Sequence, residues 1–218
     1  MLKGKHLLVN GDKTEDYTVK REGDTNWKKC KFLGSLLGNE EDIQRRKQLA
    51  CAAFCKNKTS LCSKKISLKT RIRIFTALVT SIALYNSELW SLTSKDTKKI
   101  DTFQRAFLRQ IVRCRRISNA RLYELCGLVP WSTDIKKRRL TWFGHMNRLP
   151  VDAPAKKAFH EARKKVIKVR GGQRTTWLST VEKDFKLIGK TLTHAIELTQ
   201  NRETYALIIS SAMEQSPA

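Results

Sequence analysis

The sequence predicts a mainly α-helical protein with a small β piece at its N-terminus. Two observations predict this fold class. From Glu40 onward, apolar residues recur at the spacing of one helix face. Residues 1–38 instead hold short apolar or alternating runs that are separated by turn-type pairs. With 218 residues, the chain is long enough to enclose a hydrophobic core.

Three short strands are predicted in the N-terminal region: His6–Val9, Glu15–Arg21 and Lys29–Leu37. The pairs Gly11-Asp12 and Gly23-Asp24 separate them, and such pairs favour turns. Three short strands cannot bury two faces by themselves. We therefore expect this region to be the edge of a larger sheet.

Three amphipathic helices are predicted next. The first covers Glu41–Cys62, the second is capped by Ser67 and extends to about Leu92, and the third starts at Ser94. Because the connections between them are short, we expect a small antiparallel bundle.

Further helices follow the bundle. Ser118 caps the first of them and Gly127 stops it. The predicted helices cover Ser118–Cys126, Ser132–Asn147, Ala153–Lys165, Trp177–Ile188 and Leu192–Met213, with a basic, glycine-broken loop at Val166–Arg174.

The chain carries a large excess of positive charge. Its 44 Lys and Arg against 20 Asp and Glu give a net charge of +24. From Lys98 to Arg174 there are 21 Lys and Arg against five acids. Such an excess of positive charge indicates a polyanionic partner, and nucleic acid is the commonest polyanion that proteins bind. A membrane surface is the main alternative partner. No run of about 18 apolar residues is present, so we do not expect a spanning helix, and we favour nucleic acid over a membrane.

Several sequence blocks occur in a characteristic order. In chain order they are NGDKTE (Asn10–Glu15), KCKFLGSLLGNEEDIQRRKQLA (Lys29–Ala50), IKKRRLTWFGHMNRLP (Ile135–Pro150), RGGQRTTWLSTVEKDF (Arg170–Phe185) and ELTQNRETYALII (Glu197–Ile209). This order resembles the C-terminal part of the reverse transcriptases of non-LTR (LINE-type) retrotransposons. One departure is Tyr205, which stands where that family more usually has Trp.

The resemblance implies four regions along the chain. They are residual palm strands and a primer-grip hairpin in 1–39, a thumb-like three-helix bundle in 40–115, a basic helical post-thumb region in 116–165, and a basic loop with C-terminal helices in 166–218.

The resemblance also implies roles for a few residues. Phe32, Leu33 and Gly34 match the primer grip, a hairpin that holds the primer 3′ end. Lys13 matches a lysine that is a candidate general acid of the intact family. The family's polymerase chemistry uses Mg²⁺ ions that are held by clustered aspartates. Because this sequence has no Asp-Asp pair, we expect no catalytic residue, bound metal or other cofactor in this chain.

Basic residues on the predicted helices are the candidates for phosphate contacts. They are Lys69, Arg71, Arg73, Arg113, Arg115, Arg116, Lys136, Lys137, Arg138, Arg139 and Arg148.

We do not expect catalytic roles for the other reactive or aromatic residues. We expect Trp142 and Phe143 in the core rather than as a base-stacking platform, and His145 as a structural or phosphate-contacting residue. The six cysteines form no CxxC pair, so a zinc site is not predicted. Because the N-terminus lacks a secretory signal, we expect the chain in the nucleus or cytoplasm, with its cysteines reduced.

These observations lead to one functional expectation and three alternatives. We expect a truncated, catalytically incomplete fragment of a retrotransposon RNA-directed DNA polymerase that still binds RNA, DNA or an RNA–DNA hybrid, and no small-molecule substrate. Alternatively, a host has retained the fragment as a nucleic-acid-binding or protein-interaction module without a polymerase role. It could also be a decayed gene whose product is never made, or part of a full enzyme whose palm is encoded upstream.

The missing aspartates give the first prediction. The purified 218-residue chain should incorporate no dNTP on a primed RNA template in the presence of Mg²⁺, because two-metal catalysis needs clustered carboxylates. Primer extension in a gel assay measures this, with an active reverse transcriptase on the same template as the control. Template-dependent extension by the chain would contradict it.

Overall fold

The computed structural model describes residues 31–114, 116–164 and 175–214. It confirms a mainly helical protein with a small antiparallel sheet near its N-terminus. The strands predicted at His6–Val9 and Glu15–Arg21, together with Lys13, lie outside the described residues.

The chain divides into two compact units, Met1–Arg45 and Arg46–Ala218. The α-helices are α1 Asn39–Lys56, α2 Lys58–Leu61, α3 Leu68–Phe75, α4 Ser81–Ala83, α5 Ser94–Val112, α6 Asn119–Cys126, α7 Trp131–Arg148, α8 Pro154–Lys164, α9 Trp177–Leu187, α10 Leu192–Leu198 and α11 Arg202–Glu214.

In the first unit, the segment predicted as one strand at Lys29–Leu37 reverses its direction. Strand β1, Lys31–Phe32, pairs antiparallel with β2, Ser35–Leu36. Leu33 and Gly34 join them with φ values of 45° and 86°. Positive φ at both central residues is what a tight, two-residue hairpin turn of type I′ needs.

The start of α1 holds this hairpin in place. The Asp42 carboxylate accepts a hydrogen bond from the Leu36 backbone N–H at 2.9 Å. The Arg45 guanidinium donates to the Gly34 carbonyl at 2.7 Å. The turn residue Gly34 and the second strand are therefore bonded to the helix that follows them.

Capping side chains begin several helices of the second unit, and a glycine ends one of them. Ser67 and Ser118 act as the predicted N-caps, because their hydroxyls accept hydrogen bonds from N–H groups three residues later. Helix α5 begins at Ser94, as predicted, and Thr93 and Asp96 cap it in a capping box. Gly127 ends α6 with a left-handed φ of 60°, as predicted.

The long helix predicted from Ser67 to Leu92 is interrupted. After α3 the backbone forms a π-helical turn, Thr76–Thr80, and α4 then ends at Ala83. Asn86 takes a left-handed conformation with φ 60°, which a helix cannot continue through. A short 3₁₀ helix, Ser87–Leu89, follows.

The helix predicted at Leu192–Met213 is also divided. Helix α10 ends at Leu198, and the buried Thr199 hydroxyl donates back to the Ile196 carbonyl at 2.6 Å. Asn201 then begins α11, because its side-chain oxygen accepts hydrogen bonds from the N–H groups of Glu203 and Thr204.

Aromatic rings form the first core of the second unit. Phe54 of α1 stacks on Phe107 of α5 at 4.5 Å between ring centroids, and Phe75 of α3 lies 6.0 Å from Phe107. The three predicted bundle helices therefore pack together. Trp131, the first residue of α7, stacks on Phe75 at 6.1 Å, so α7 joins this core at its N-terminal end.

The other end of α7 belongs to a second core. The Phe143 ring lies 5.7 Å from Phe159 of α8 and 5.1 Å from Phe185 of α9, and all three rings are buried. Tyr205 and Ile209 of α11 complete this cluster. Helix α7 is thus shared by both cores.

A buried ion pair lies in the middle of α7. The Arg139 guanidinium contacts the Asp184 carboxylate of α9 through Nη2 at 2.7 Å and Nε at 2.8 Å. Its Nη1 donates to the Trp90 carbonyl at 2.9 Å. The two charged side chains are only 3% and 5% exposed, so removing either partner alone would strand a buried charge.

Gly144 allows α11 to approach α7. The Tyr205 hydroxyl donates to the Leu140 carbonyl at 2.7 Å. A Cβ added at Gly144 would overlap the Tyr205 ring, with Cδ1 only 2.9 Å away. Because Gly144 has no side chain, it leaves room for the Tyr205 ring.

This contact predicts the effect of Gly144→Ala. Alanine normally favours a helix by about 0.5–1 kcal/mol over glycine, but overpacking here should lower the free energy of unfolding by about 1–3 kcal/mol. Denaturant unfolding measures the change. In a Tyr205→Leu background the loss should shrink, because the ring is gone. A stabilising Gly144→Ala change would show that the ring contact is not limiting.

Candidate nucleic-acid interface

The start of α3 lies beside the end of α5. Arg71, half-buried, donates through Nε to the Ile66 carbonyl at 3.1 Å and through Nη1 to the Ile111 carbonyl. The positive charge of Arg71 therefore lies at the C-terminal end of α5, where the helix dipole favours a cation. Lys69 and Arg73 lie two positions to either side of Arg71 and are exposed.

The segment after α5 adds further exposed cations. Arg113 ends this helix in a left-handed conformation with φ 61°, and its side chain is exposed. Arg116 is also exposed, and Arg115 lies outside the described residues. Arg109, by contrast, donates to the Asn119 side chain at 2.8 Å and so links α5 to α6.

We call the exposed cations around these two helix ends the bundle-end patch. It consists of Lys64, Lys65, Lys69, Arg73, Arg113 and Arg116. Within the described ranges, none of the six forms an ion pair with a carboxylate. A cationic surface without carboxylates to neutralise it attracts phosphates.

Lys64 and Lys65 were not among the residues predicted from the sequence. They lie in the loop before α3 rather than on a helix, so helical periodicity does not select them. A different signal identifies them: residues 43–87 contain ten Lys and Arg and no Asp or Glu. Charge counted over a window, without reference to helix faces, would have included both lysines.

The basic residues predicted on α7 have different environments. Lys137 and Arg138 are exposed, although Arg138 also donates to the Leu84 carbonyl at 3.1 Å. Lys136 is half-buried. Arg148, also half-buried, donates to the Thr199 carbonyl at 3.1 Å. Arg139 is buried in the ion pair with Asp184 and does not face solvent.

An open groove runs along the exposed side of α7 and has a volume of about 580 Å³. We call it the α7 groove. Its lining residues are Glu88, Asp134, Lys137, Arg138, Thr141, Trp142 and His145.

Trp142 and Phe143, which we expected together in the core, have different environments. Phe143 is fully buried, as expected. Trp142 is half-buried and lines the groove, with its ring 5.3 Å from the exposed His145 ring. Part of the Trp142 side chain is therefore accessible from the groove.

The hairpin of the first unit presents an apolar tip. Phe32 is 53% exposed and Leu33 is 79% exposed, and the adjacent Lys31 is exposed as well. A hairpin is present at Phe32, Leu33 and Gly34, but the role of these residues as a primer grip stays a prediction.

Among the described residues, no group of three or more His, Cys, Asp or Glu side chains converges to hold a metal ion. The cysteines of this part are free thiols, and burial raises the pKa of the Cys126 thiol to about 11. No described helix is both long enough and apolar enough to cross a membrane.

Comparisons of the chain with protein-family models, with curated proteins and with solved structures find no match.

Asp134 gives the α7 groove a measurable pH signature. Burial raises the pKa of this carboxyl, and the nearby Arg138 and Lys137 partly oppose the rise. Because the native pKa lies above the unfolded one, this group contributes its full stability below about pH 4 and loses it as pH rises through the native pKa.

We therefore expect Asp134→Asn to become more stable relative to the original chain as pH increases from about 3 to 7. Free energies of unfolding measured in denaturant across this range test the expectation. Glu182→Gln is a control acid substitution on α9. A constant difference between Asp134→Asn and the original chain would contradict the raised pKa.

Proposed function

We propose that this chain binds RNA or an RNA–DNA duplex through its phosphates, with little dependence on sequence. Within this proposal it is a catalytically incomplete part of a LINE-type reverse transcriptase that holds the thumb and the basic C-terminal region. Its place of action would be the nucleus or cytoplasm. The observation that carries the proposal is the bundle-end patch, whose six exposed cations lie before α3, on α3 and after α5 and form no ion pair with any carboxylate of the described residues.

The packing of the patch supports binding to an extended polyanion. Arg71 fixes the start of α3 against the end of α5, so the cations project from a scaffold whose core is buried aromatic rings. Preorganised cations lose less conformational freedom on binding than cations on a free tail. Lysine and arginine at such positions contact phosphates and so carry no sequence information directly.

Exposed Lys137 and Arg138 on α7 extend the set of candidate phosphate contacts. Arg139 and Arg71 are not included, because neither is exposed and each guanidinium is bonded to two protein partners. The proposal thus rests on fewer of the predicted arginines and adds two lysines, Lys64 and Lys65.

Salt dependence tests the proposal directly. If six to ten phosphates are neutralised, affinity should fall by roughly 10³- to 10⁵-fold between 50 and 200 mM salt. Fluorescence anisotropy with a labelled RNA–DNA duplex measures this, and duplexes of different sequence should give similar values. A complex that is insensitive to salt would overturn the proposal.

A charge-matched pair of variants locates the interface. Replacing Lys64, Lys65, Lys69 and Arg73 with Gln should reduce the salt slope by about one for each lost phosphate contact. Replacing Lys95, Lys98, Lys183 and Lys186 with Gln removes the same charge from exposed positions outside the patch and should change the slope little. Equal losses in both variants would point to net charge rather than to the patch.

A further inference from the structure

We infer that the α7 groove holds one unpaired nucleotide of the bound nucleic acid, with guanine as the preferred base. This inference rests on the proposed function and deepens it, because it assigns a base-contacting subsite to a surface whose other contacts are with phosphates.

One face of α7 supplies most of the lining of the groove. Asp134, Lys137, Arg138, Thr141, Trp142 and His145 recur at the three- and four-residue spacings of one helix face. Glu88 forms the opposite wall from the 3₁₀ helix, and the Trp177 Nε1–H fixes this wall by donating to the Glu88 carbonyl at 2.8 Å. Arg138 is tied to the Leu84 carbonyl. Both walls are thus fixed by hydrogen bonds across the fold.

Trp142 supplies a surface for stacking. Its neighbour Phe143 already fills the core, so the indole of Trp142 is left half-buried along the groove beside His145. Nucleobases stack on tryptophan and histidine rings when they are unpaired and can leave the base stack. The volume of about 580 Å³ is large enough for one nucleotide.

The charges of the groove select an unpaired base over a duplex. Lys137 and Arg138 can contact a phosphate, but Glu88 and Asp134 would repel a second phosphate strand in the same groove. A carboxylate is instead a good acceptor for N–H groups on a base edge. Guanine presents two adjacent donors, N1–H and N2–H, whereas uracil presents one donor between two carbonyls. In a paired base these donors are already occupied.

The test uses the full chain and three RNA–DNA duplexes: fully paired, with a one-nucleotide guanine bulge, and with a uracil bulge. We expect the guanine bulge to bind about 5- to 100-fold more tightly than the paired duplex, the effect expected of one stacked base. The uracil bulge should bind less tightly than the guanine bulge. Anisotropy at one fixed salt concentration measures all three.

Variants assign the effect to named residues. Trp142→Leu should abolish the preference for the bulge while affinity for the paired duplex stays unchanged, and Trp142→Phe should retain most of it. Glu88→Gln with Asp134→Asn should reduce the preference of guanine over uracil. The variant Lys183→Gln with Lys186→Gln should leave both preferences intact. An equal loss of paired and bulged binding in Trp142→Leu would overturn the inference.

A cross-link on the unaltered protein gives a result that does not depend on a variant folding. A 6-thioguanine bulge, irradiated in the complex, should attach to the peptide that contains Trp142 and His145. Attachment only to lysines of the bundle-end patch would overturn the inference.

The failures of the two proposals can be told apart. Salt-dependent binding that is equal for paired and bulged duplexes would overturn the nucleotide subsite and leave the proposed function intact. The absence of any binding would overturn both.

Discussion

The guanidinium of Arg139 joins three separate parts of the second unit. It lies on α7, pairs with Asp184 of α9 and bonds to the carbonyl of Trp90, which precedes α5. Helix α7 packs against the aromatic rings of the bundle at one end and against Phe159 and Phe185 at the other. Because a buried ion pair needs good geometry to offset desolvation, the ion pair fixes the position of α9 against α7. Both walls of the α7 groove depend on this arrangement, since Trp177 of α9 bonds to Glu88.

Two surfaces of different chemistry follow from this scaffold. The bundle-end patch is purely cationic, which suits contacts with phosphates that any sequence offers. The α7 groove combines two cations with two carboxylates and an indole, which suits a base edge more than a phosphate strand. A protein that uses both would attach to nucleic acid through the patch and sense a local departure from base pairing through the groove.

Much of the fold could be predicted from the sequence, because helical periodicity and capping chemistry are local. Ser67, Ser118 and Gly127 start or stop helices as expected. The break at Asn86 and the π-helical turn before it were not predicted, because the apolar spacing of one helix face continues through both. The same limit applies to the site. The four adjacent cations of Lys136–Arg139 were all predicted to contact phosphates, yet only Lys137 and Arg138 are exposed. A partial signal existed, because Arg139 shares its helix face with Ile135 and Phe143.

The ion pair of Arg139 determines how the protein would respond to truncation at its C-terminus. Its partner Asp184 follows 45 residues later. A premature stop codon between α7 and α9 would therefore leave a guanidinium without its counter-ion at the centre of the fold. A gene that decayed from its 3′ end could lose α10 and α11 with this ion pair intact. A stop codon before Asp184 would also remove Phe185 from the second core, so stability would fall sharply at that point.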